Sequence, residues 1–267
     1  MSIFSRPPVT ALCLGGGGAR GFAHVGALKA FEEAGIKFDI CVGTSVGSLV
    51  GSLYAMGIST SKMIEFSHAL ELKDIHSGSL LFPSPSTNIG EAIRPLVGDA
   101  DIKDTKIKFA AVAVDLVTAK QVIFDSGRIV DAVSASCAVP IIFKPTVLGD
   151  KHLVDGGLLN NIPADVCRML GADVVVTVDV NPTRGQGTSE LKVVDILKAT
   201  LSIALKKASE SGYVYSDVVI ATDTSQFSSA KKTGYEEMMQ RGYESASAKI
   251  VEIKRLFNKR ISKFKKH

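Results

Sequence analysis

Gly43-Thr44-Ser45-Val46-Gly47 lies between the apolar run Ile40-Cys41-Val42 and the small-residue segment from Ser48 to Met56. That order specifies a strand, a sharp turn and a helix, the setting in which the serine of a GxSxG motif projects its hydroxyl from the top of a sheet. Gly43 and Gly47 let the backbone bend on either side without a Cβ clash. Ser45 is therefore a candidate nucleophile. A Gly/Ser turn that merely starts a tightly packed helix has the same local pattern, so Ser45 needs partners elsewhere.

One partner is the loop Gly15-Gly16-Gly17-Gly18-Ala19-Arg20-Gly21, which follows the strand pattern Val9 to Leu14 and precedes a helical pattern from Phe22 to Ala34. Consecutive glycines allow several N–H groups to converge beside the positive end of a helix dipole. An ester carbonyl attacked by Ser45 needs such preorganised donors for its oxyanion. Gly16, Gly17 and Gly18 are the candidates. Arg20 either adds positive charge or ties the loop down. The other partner is Lys151-His152-Leu153-Val154-Asp155-Gly156-Gly157, a short strand that ends in an acid and two glycines. A carboxylate on such a turn can approach a second loop with little obstruction, so Asp155 is the candidate acceptor of the Ser45 proton.

Histidine is the usual base, and the chain has five. Only His267 follows Asp155 in the hydrolase order of nucleophile, acid and histidine, and it ends a lysine-rich tail. His24 opens the first helix, where it either supports the glycine loop or acts in the site. His152 is three residues from Asp155 on the same strand, hence on its opposite face. His68 and His76 have no partner motif. A Ser–Asp dyad remains.

In this order, the three blocks resemble the patatin-like phospholipase family: GGGGARG, then GTSVG, then DGG. The segment Ser134-Ala135-Ser136-Cys137-Ala138-Val139-Pro140-Ile141-Ile142-Phe143 is similar to the family's fourth block, a helix end and proline turn beside the acid-bearing strand. The similarity runs from about Val9 to Val180. It implies a three-layer α/β sandwich, with Ser45 as nucleophile, Asp155 as base and the Gly16 to Gly18 amides as oxyanion hole. Arg20, Gly43, Gly47 and Gly156 are implied as supporting residues. The implied substrates are lipid acyl esters of the phospholipid or lysophospholipid type, with no cofactor and no metal. Regulatory or acyl-ligand-binding proteins on the same fold are the alternative.

The glycines also spell a GxGxxG between strand and helix, the dinucleotide fingerprint. That use needs an acid at the far end of the second strand. Asp39 has the spacing but opens the strand, and Ser45 occupies its far end. Residues 40–61 carry no charged side chain, yet their Gly, Ser and Thr content and the elbow within them argue against a membrane span. Met1 to Arg20 lacks the pattern of a signal peptide.

With 46% hydrophobic and 22% charged residues, 267 residues suffice for one large domain with a covered core. Strand patterns at Val9 to Leu14, Phe38 to Val42, Ile107 to Val114, Leu153 to Val154, Val174 to Val180 and Val218 to Ala221 alternate with helical stretches. This predicts a mostly parallel sheet with helices on both faces, and a hairpin turning at Leu116 to Lys120. Ligands of such folds bind at the carboxyl ends of the strands, where both motifs fall. Cys13, Cys41, Cys137 and Cys167 show no metal or disulfide spacing and read as buried thiols of a cytoplasmic protein. Ser77 to Thr87 reads as a surface connector or lid, and Asn181 to Glu190 as a second loop.

Charge is concentrated at the C-terminus. Seven Lys or Arg and no acid lie between Lys254 and His267, so of 31 basic and 27 acidic residues the remainder holds 24 against 27. Ile250, Ile253, Phe257, Ile261 and Phe264 recur at helical steps, predicting a basic amphipathic helix within about 235–267. It either rests on anionic lipid, delivering the site to a membrane, or packs on the core. No aromatic platform or motif for nucleic acid is present.

Overall fold

The computed structural model describes residues 5–69, 83–180, 192–228, 231–259 and 261–262. Strands are β1 (Ser5–Arg6), β2 (Thr10–Leu14), β3 (Ile40–Thr44), β4 (Ser84–Pro85), β5 (Lys108–Asp115), β6 (Lys120–Phe124), β7 (Phe143–Lys144), β8 (Thr146–Leu148), β9 (Lys151–Asp155), β10 (Val174–Asp179), β11 (Val218–Ala221) and β12 (Ile261–Ser262). Helices are α1 (Phe22–Glu33), α2 (Val46–Ala55), α3 (Thr60–Ala69), α4 (Thr87–Val97), α5 (Ile129–Ser136), α6 (Ala164–Met169), α7 (Val193–Val214), α8 (Tyr235–Ser247) and α9 (Ile250–Phe257).

The main sheet runs β11-β10-β2-β3-β5, all parallel, with β6 and the β8–β9 hairpin joined antiparallel to β5. The period of two along each strand sorts side chains between two cores. Leu12, Leu14, Cys41, Phe109 and Ala111 face α1 to α5, α8 and α9. Ala11, Cys13, Ile40, Val42, Ala110 and Val112 face α6 and Tyr213 of α7. The result is the expected three-layer α/β arrangement, and the predicted Leu116 to Lys120 turn joins β5 to β6. Residues 40–55, the uncharged stretch, are a core strand and helix, and no described helix is long and apolar enough to cross a membrane.

Register brings the two motif loops together. Leu14 pairs with Gly43 and with Val178, and Thr44 pairs with Val112, so the turns after β2 and β3 leave the sheet side by side at its carboxyl end.

The C-terminus departs from the sequence expectation. A single helix over 235–267 is replaced by α8, α9 and the strand pair of β1 with β12. Helical steps hold for Ile250, Ile253 and Phe257 only, because Asn258, a poor helix former, caps α9 and the chain then turns to pair Ile261 with Arg6. Ile253 is fully buried, and Phe257 packs edge-on against Phe38 with ring centroids 5.5 Å apart. Phe38 precedes β3, so α9 sits at the amino ends of the strands. Phe264, His76, His267, the loop Asn181 to Glu190 and residues 77–82 of the connector lie outside the described residues. Beyond them, Ser84–Pro85 pairs with Phe143–Lys144.

Phe109 is buried near the amino end of β5, the strand to which both halves of the motif geometry attach. Phe109→Ala is expected to cost about 3–5 kcal/mol by cavity formation, read as a lower urea midpoint at unchanged m-value.

Candidate active site

Ser45 caps α2 with φ 54° and ψ −130°, a left-handed conformation that costs a non-glycine residue roughly 1–3 kcal/mol and persists only where the surroundings enforce it. The surroundings are specific. Its carbonyl accepts from the Ser48 amide at 2.8 Å, the Leu49 amide at 3.2 Å and the Ser48 hydroxyl at 2.7 Å. Its own amide donates to Ser136 Oγ at 2.9 Å, and that hydroxyl donates to the Val112 carbonyl at 2.6 Å. Thr44 Oγ1 donates to the Asn160 carbonyl at 2.8 Å. The flanking glycines are required by close approach: a Cβ on Gly47 would stand 2.1 Å from the Leu14 carbonyl oxygen, and one on Gly43 would stand 2.2 Å from the Gly47 carbonyl oxygen.

A strand has two hydrogen-bonding edges. β6 occupies one edge of β5 over residues 111–115, so β9, which pairs with 113–115, shares the other edge with β3, which pairs with 108–112. Thr44 is thus opposite Val112, and Asp155 is opposite Ala113. Where β3 leaves the edge to form the elbow, β9 takes its place, and Ser45 and Asp155 become neighbours. Gly156 lies over Val112, whose carbonyl oxygen would be 2.2 Å from an added Cβ.

Both side chains are withdrawn from solvent, Ser45 at 6% and Asp155 at 4% exposure. Burial pushes the Asp155 carboxyl from the ordinary value near 3.9 up to about 6, although the adjacent Ser45 hydroxyl and the Gly157 amide, which donates to Oδ1 at 2.7 Å, hold it down. Such a carboxylate is a better base than an exposed one and remains ionised at neutral pH.

The three expected oxyanion donors differ in their partners. The Gly16 amide donates to the Asn161 carbonyl at 3.1 Å and is committed. Among the described residues, the Gly17 and Gly18 amides have no backbone acceptor, and Gly18 has φ 60° at the start of a single 3-10 turn, Gly18–Gly21. Gly16 itself stands against the nucleophile, since a Cβ there would lie 3.2 Å from Ser45 Cβ.

Arg20 ties the loop down: its Nε and Nη2 donate to the Phe227 carbonyl at 3.1 and 3.0 Å. His24 supports the loop from below. It is fully buried, its Nε2 meets the Gly15 carbonyl at 2.8 Å, and burial lowers its pKa to about 4, so the ring is neutral with the proton on Nε2. His152 is exposed, and His68 meets the Tyr235 hydroxyl at 3.2 Å. Asp39 accepts from the Thr10 amide and hydroxyl, both at 2.8 Å, at the amino end of the sheet, so it cannot serve a ribose at the glycine loop.

Two residues of the site escaped the sequence reading. Ser136 belongs to a segment singled out for its proline turn, but nothing in its pattern marks the hydroxyl as the acceptor for the Ser45 amide. Asn161 joins three elements: its carbonyl takes the Gly16 amide, its Nδ2 donates to Ser209 Oγ at 3.0 Å, and its Oδ1 abuts Gly16 and Gly157. Cys137 lies at 3.9 Å from the Ser48 hydroxyl, and burial beside Asp155 pushes its thiol pKa up, so it is inert.

A strained serine at a strand–helix elbow, a desolvated carboxylate and a glycine loop thus meet at one end of an α/β sheet. The model of the patatin-like phospholipase family matches residues 12–168, and the chain belongs to that family. An uncharacterised NTE family protein of Mycobacterium tuberculosis is 36% identical over 185 residues, which are 66% of this chain and 50% of that protein. Patatin-like phospholipase domain-containing protein 6 of Homo sapiens is 36% identical over 180 residues, 64% of this chain and 13% of that protein. Lysophospholipase nte1 of Aspergillus fumigatus is 36% identical over 177 residues, 63% of this chain and 12% of that protein. The chain thus spans half or less of these relatives. Among solved structures, VipD of Legionella pneumophila superposes with a TM-score of 0.64 at 14% identity, covering 93% of this chain and 68% of that one, a likeness of fold.

Because the Asp155 pKa is raised in the folded state, its contribution to stability is present below about pH 4 and lost as pH rises through about 6. Asp155→Asn removes that loss and is expected to stabilise the protein at pH 8 by about 1–3 kcal/mol, with little effect at pH 3.5, read by thermal melts at the two pH values. Ser136→Ala strands the Ser45 amide and is expected to lower stability by about 1–3 kcal/mol; a urea titration reads it.

Proposed function

We propose that the protein is a serine acyl hydrolase acting on lipid esters through Ser45 and Asp155. The observation that carries this reading is the desolvated Asp155 carboxylate beside the hydroxyl of a serine held in a strained elbow. Asp155 takes the Ser45 proton as Oγ attacks the ester carbonyl. The Gly17 and Gly18 amides receive the tetrahedral oxyanion, and the collapse of that intermediate expels the alcohol, which takes the proton from Asp155, and leaves an acyl-Ser45. Water, deprotonated by Asp155, then attacks the acyl group and releases the acid, and the proton returns to Ser45. Family membership and the lysophospholipase among the relatives support a phospholipid or lysophospholipid substrate, and the buried thiols suit a reducing compartment.

A fluorophosphonate probe is expected to label Ser45 alone, with labelling and turnover of a chromogenic ester both lost in Ser45→Ala. Asp155→Asn should lower kcat by at least about 10³-fold while the protein stays folded. The wild-type kcat/KM should fall with a single ionisation near pH 6 as the base is protonated. Full turnover in either variant, or an acyl ligand bound without any probe labelling, points instead to a non-catalytic acyl-binding protein.

A further inference from the structure

α9 packs on Phe38 at the amino ends of the strands, while Ser45 stands at their carboxyl ends. The surface beside the site has a different origin. α7 is 22 residues, about 33 Å, whereas its neighbour β10 is six residues, about 20 Å. Only the last part of the helix is in step with the sheet. Leu205 packs on Gly157, the Ala208 carbonyl accepts from the Asn161 amide at 3.4 Å, and Ser209 holds the Asn161 side chain, all at the level of the acid turn. Eight residues after Ser209, Asp217 has reached Val175 near the start of β10. The stretch from Val193 to Leu205 therefore extends about 18 Å beyond the acid turn, past the carboxyl edge of the sheet.

Among its described side chains this overhang exposes four aliphatic ones, alongside Ala199, Thr200 and Ser202. Val193 is 71% and Ile203 70% exposed, with Ile196 and Leu197 exposed between them. Leu201, Ala204 and Leu205 are the more covered positions of the same stretch. Large aliphatic side chains clustered on the exposed side of a helix that also packs on the protein mark a surface for a partner. Leu116 and Val117, exposed where β5 ends, add apolar surface at the same end of the sheet. From Lys192 to Lys207 the sequence carries four lysines and one aspartate; Lys207 pairs with Glu210. Positive charge flanking exposed aliphatic side chains complements an anionic lipid surface.

We propose that the overhanging amino-terminal part of α7 docks the protein on an anionic phospholipid interface, inserting Val193, Ile196, Leu197 and Ile203 beside the mouth of the site. The substrate then enters at the docked end, while α9 stands at the opposite end of the sheet.

Sedimentation of the full chain with vesicles of equal parts phosphatidylglycerol and phosphatidylcholine, against phosphatidylcholine alone, tests this. The wild type is expected to bind the anionic vesicles more tightly, and Val193→Asp with Ile196→Asp to weaken binding at least about tenfold. Turnover of soluble p-nitrophenyl butyrate should be unchanged in that variant, and turnover of vesicle phospholipid should fall in parallel with binding. Val251→Asp, at an exposed site of α9, should alter neither. The chain contains no tryptophan, so Ile196→Trp supplies a single emission that should shift to the blue on anionic vesicles.

Four outcomes overturn the proposal. They are binding that survives the double substitution, binding lost in Val251→Asp instead, an emission that does not move, or a wild-type dimer that the double variant converts to monomer and that ignores vesicles. Vesicle binding needs no turnover, so it is separable from the lipid-ester reading on which the choice of partner rests. Failure of Ser45 labelling with intact docking refutes that reading alone.

Discussion

The sharing of one β5 edge by two strands is the constraint on which the site depends. β3 pairs up to Val112 and β9 begins at Ala113, so residues that are far apart in sequence end at adjacent register positions. Val112 is the junction: its carbonyl accepts the Ser136 hydroxyl that holds the Ser45 amide, and Gly156 crosses directly above it. An edge fixed by ladder hydrogen bonds is stiffer than a loop, so the relative placement of Ser45 and Asp155 is set by register.

The same arrangement stores unfavourable free energy. Ser45 sits at φ 54°, and Asp155 is ionised where water is nearly absent. Both are tolerated because the flanking structure is over-determined: the first turn of α2, Ser136, Thr44 and the Gly157 amide each fix one group by a directed hydrogen bond. His24 extends this logic beneath the glycine loop. Its neutral ring costs no buried charge while it bonds the Gly15 carbonyl.

The molecule is polar from end to end. At the amino ends of the strands, α9, Phe38 and the ion pair of Arg6 with Asp173 close the structure. At the carboxyl ends stand the elbow, the glycine loop, the acid turn and an apolar helix longer than the sheet it covers. Net charge alone draws attention to the C-terminal sequence, because lysines are conspicuous there. The candidate site lies at the carboxyl ends, as parallel sheets direct their loops there.

The sequence by itself determined the local elements and singled out the candidate groups of the site. Continuous apolar runs set β2, β3, β5 and β10, and a serine between Gly43 and Gly47 marks a tight strand–helix turn, so the elbow and its serine were legible. The acid at 155 and the glycine loop were legible too, as residue types that their chemistry demands. Tertiary structure alone decided which amides of the glycine loop are engaged, because the Gly16 amide is taken by Asn161, a residue 145 positions away. It also decided that Ser136 holds the elbow, that Arg20 is spent on the Phe227 carbonyl, and that the C-terminal helical pattern ends at Phe257. Each of these is a competition between partners brought together by strand register, and periodicity along one chain carries no record of register between strands.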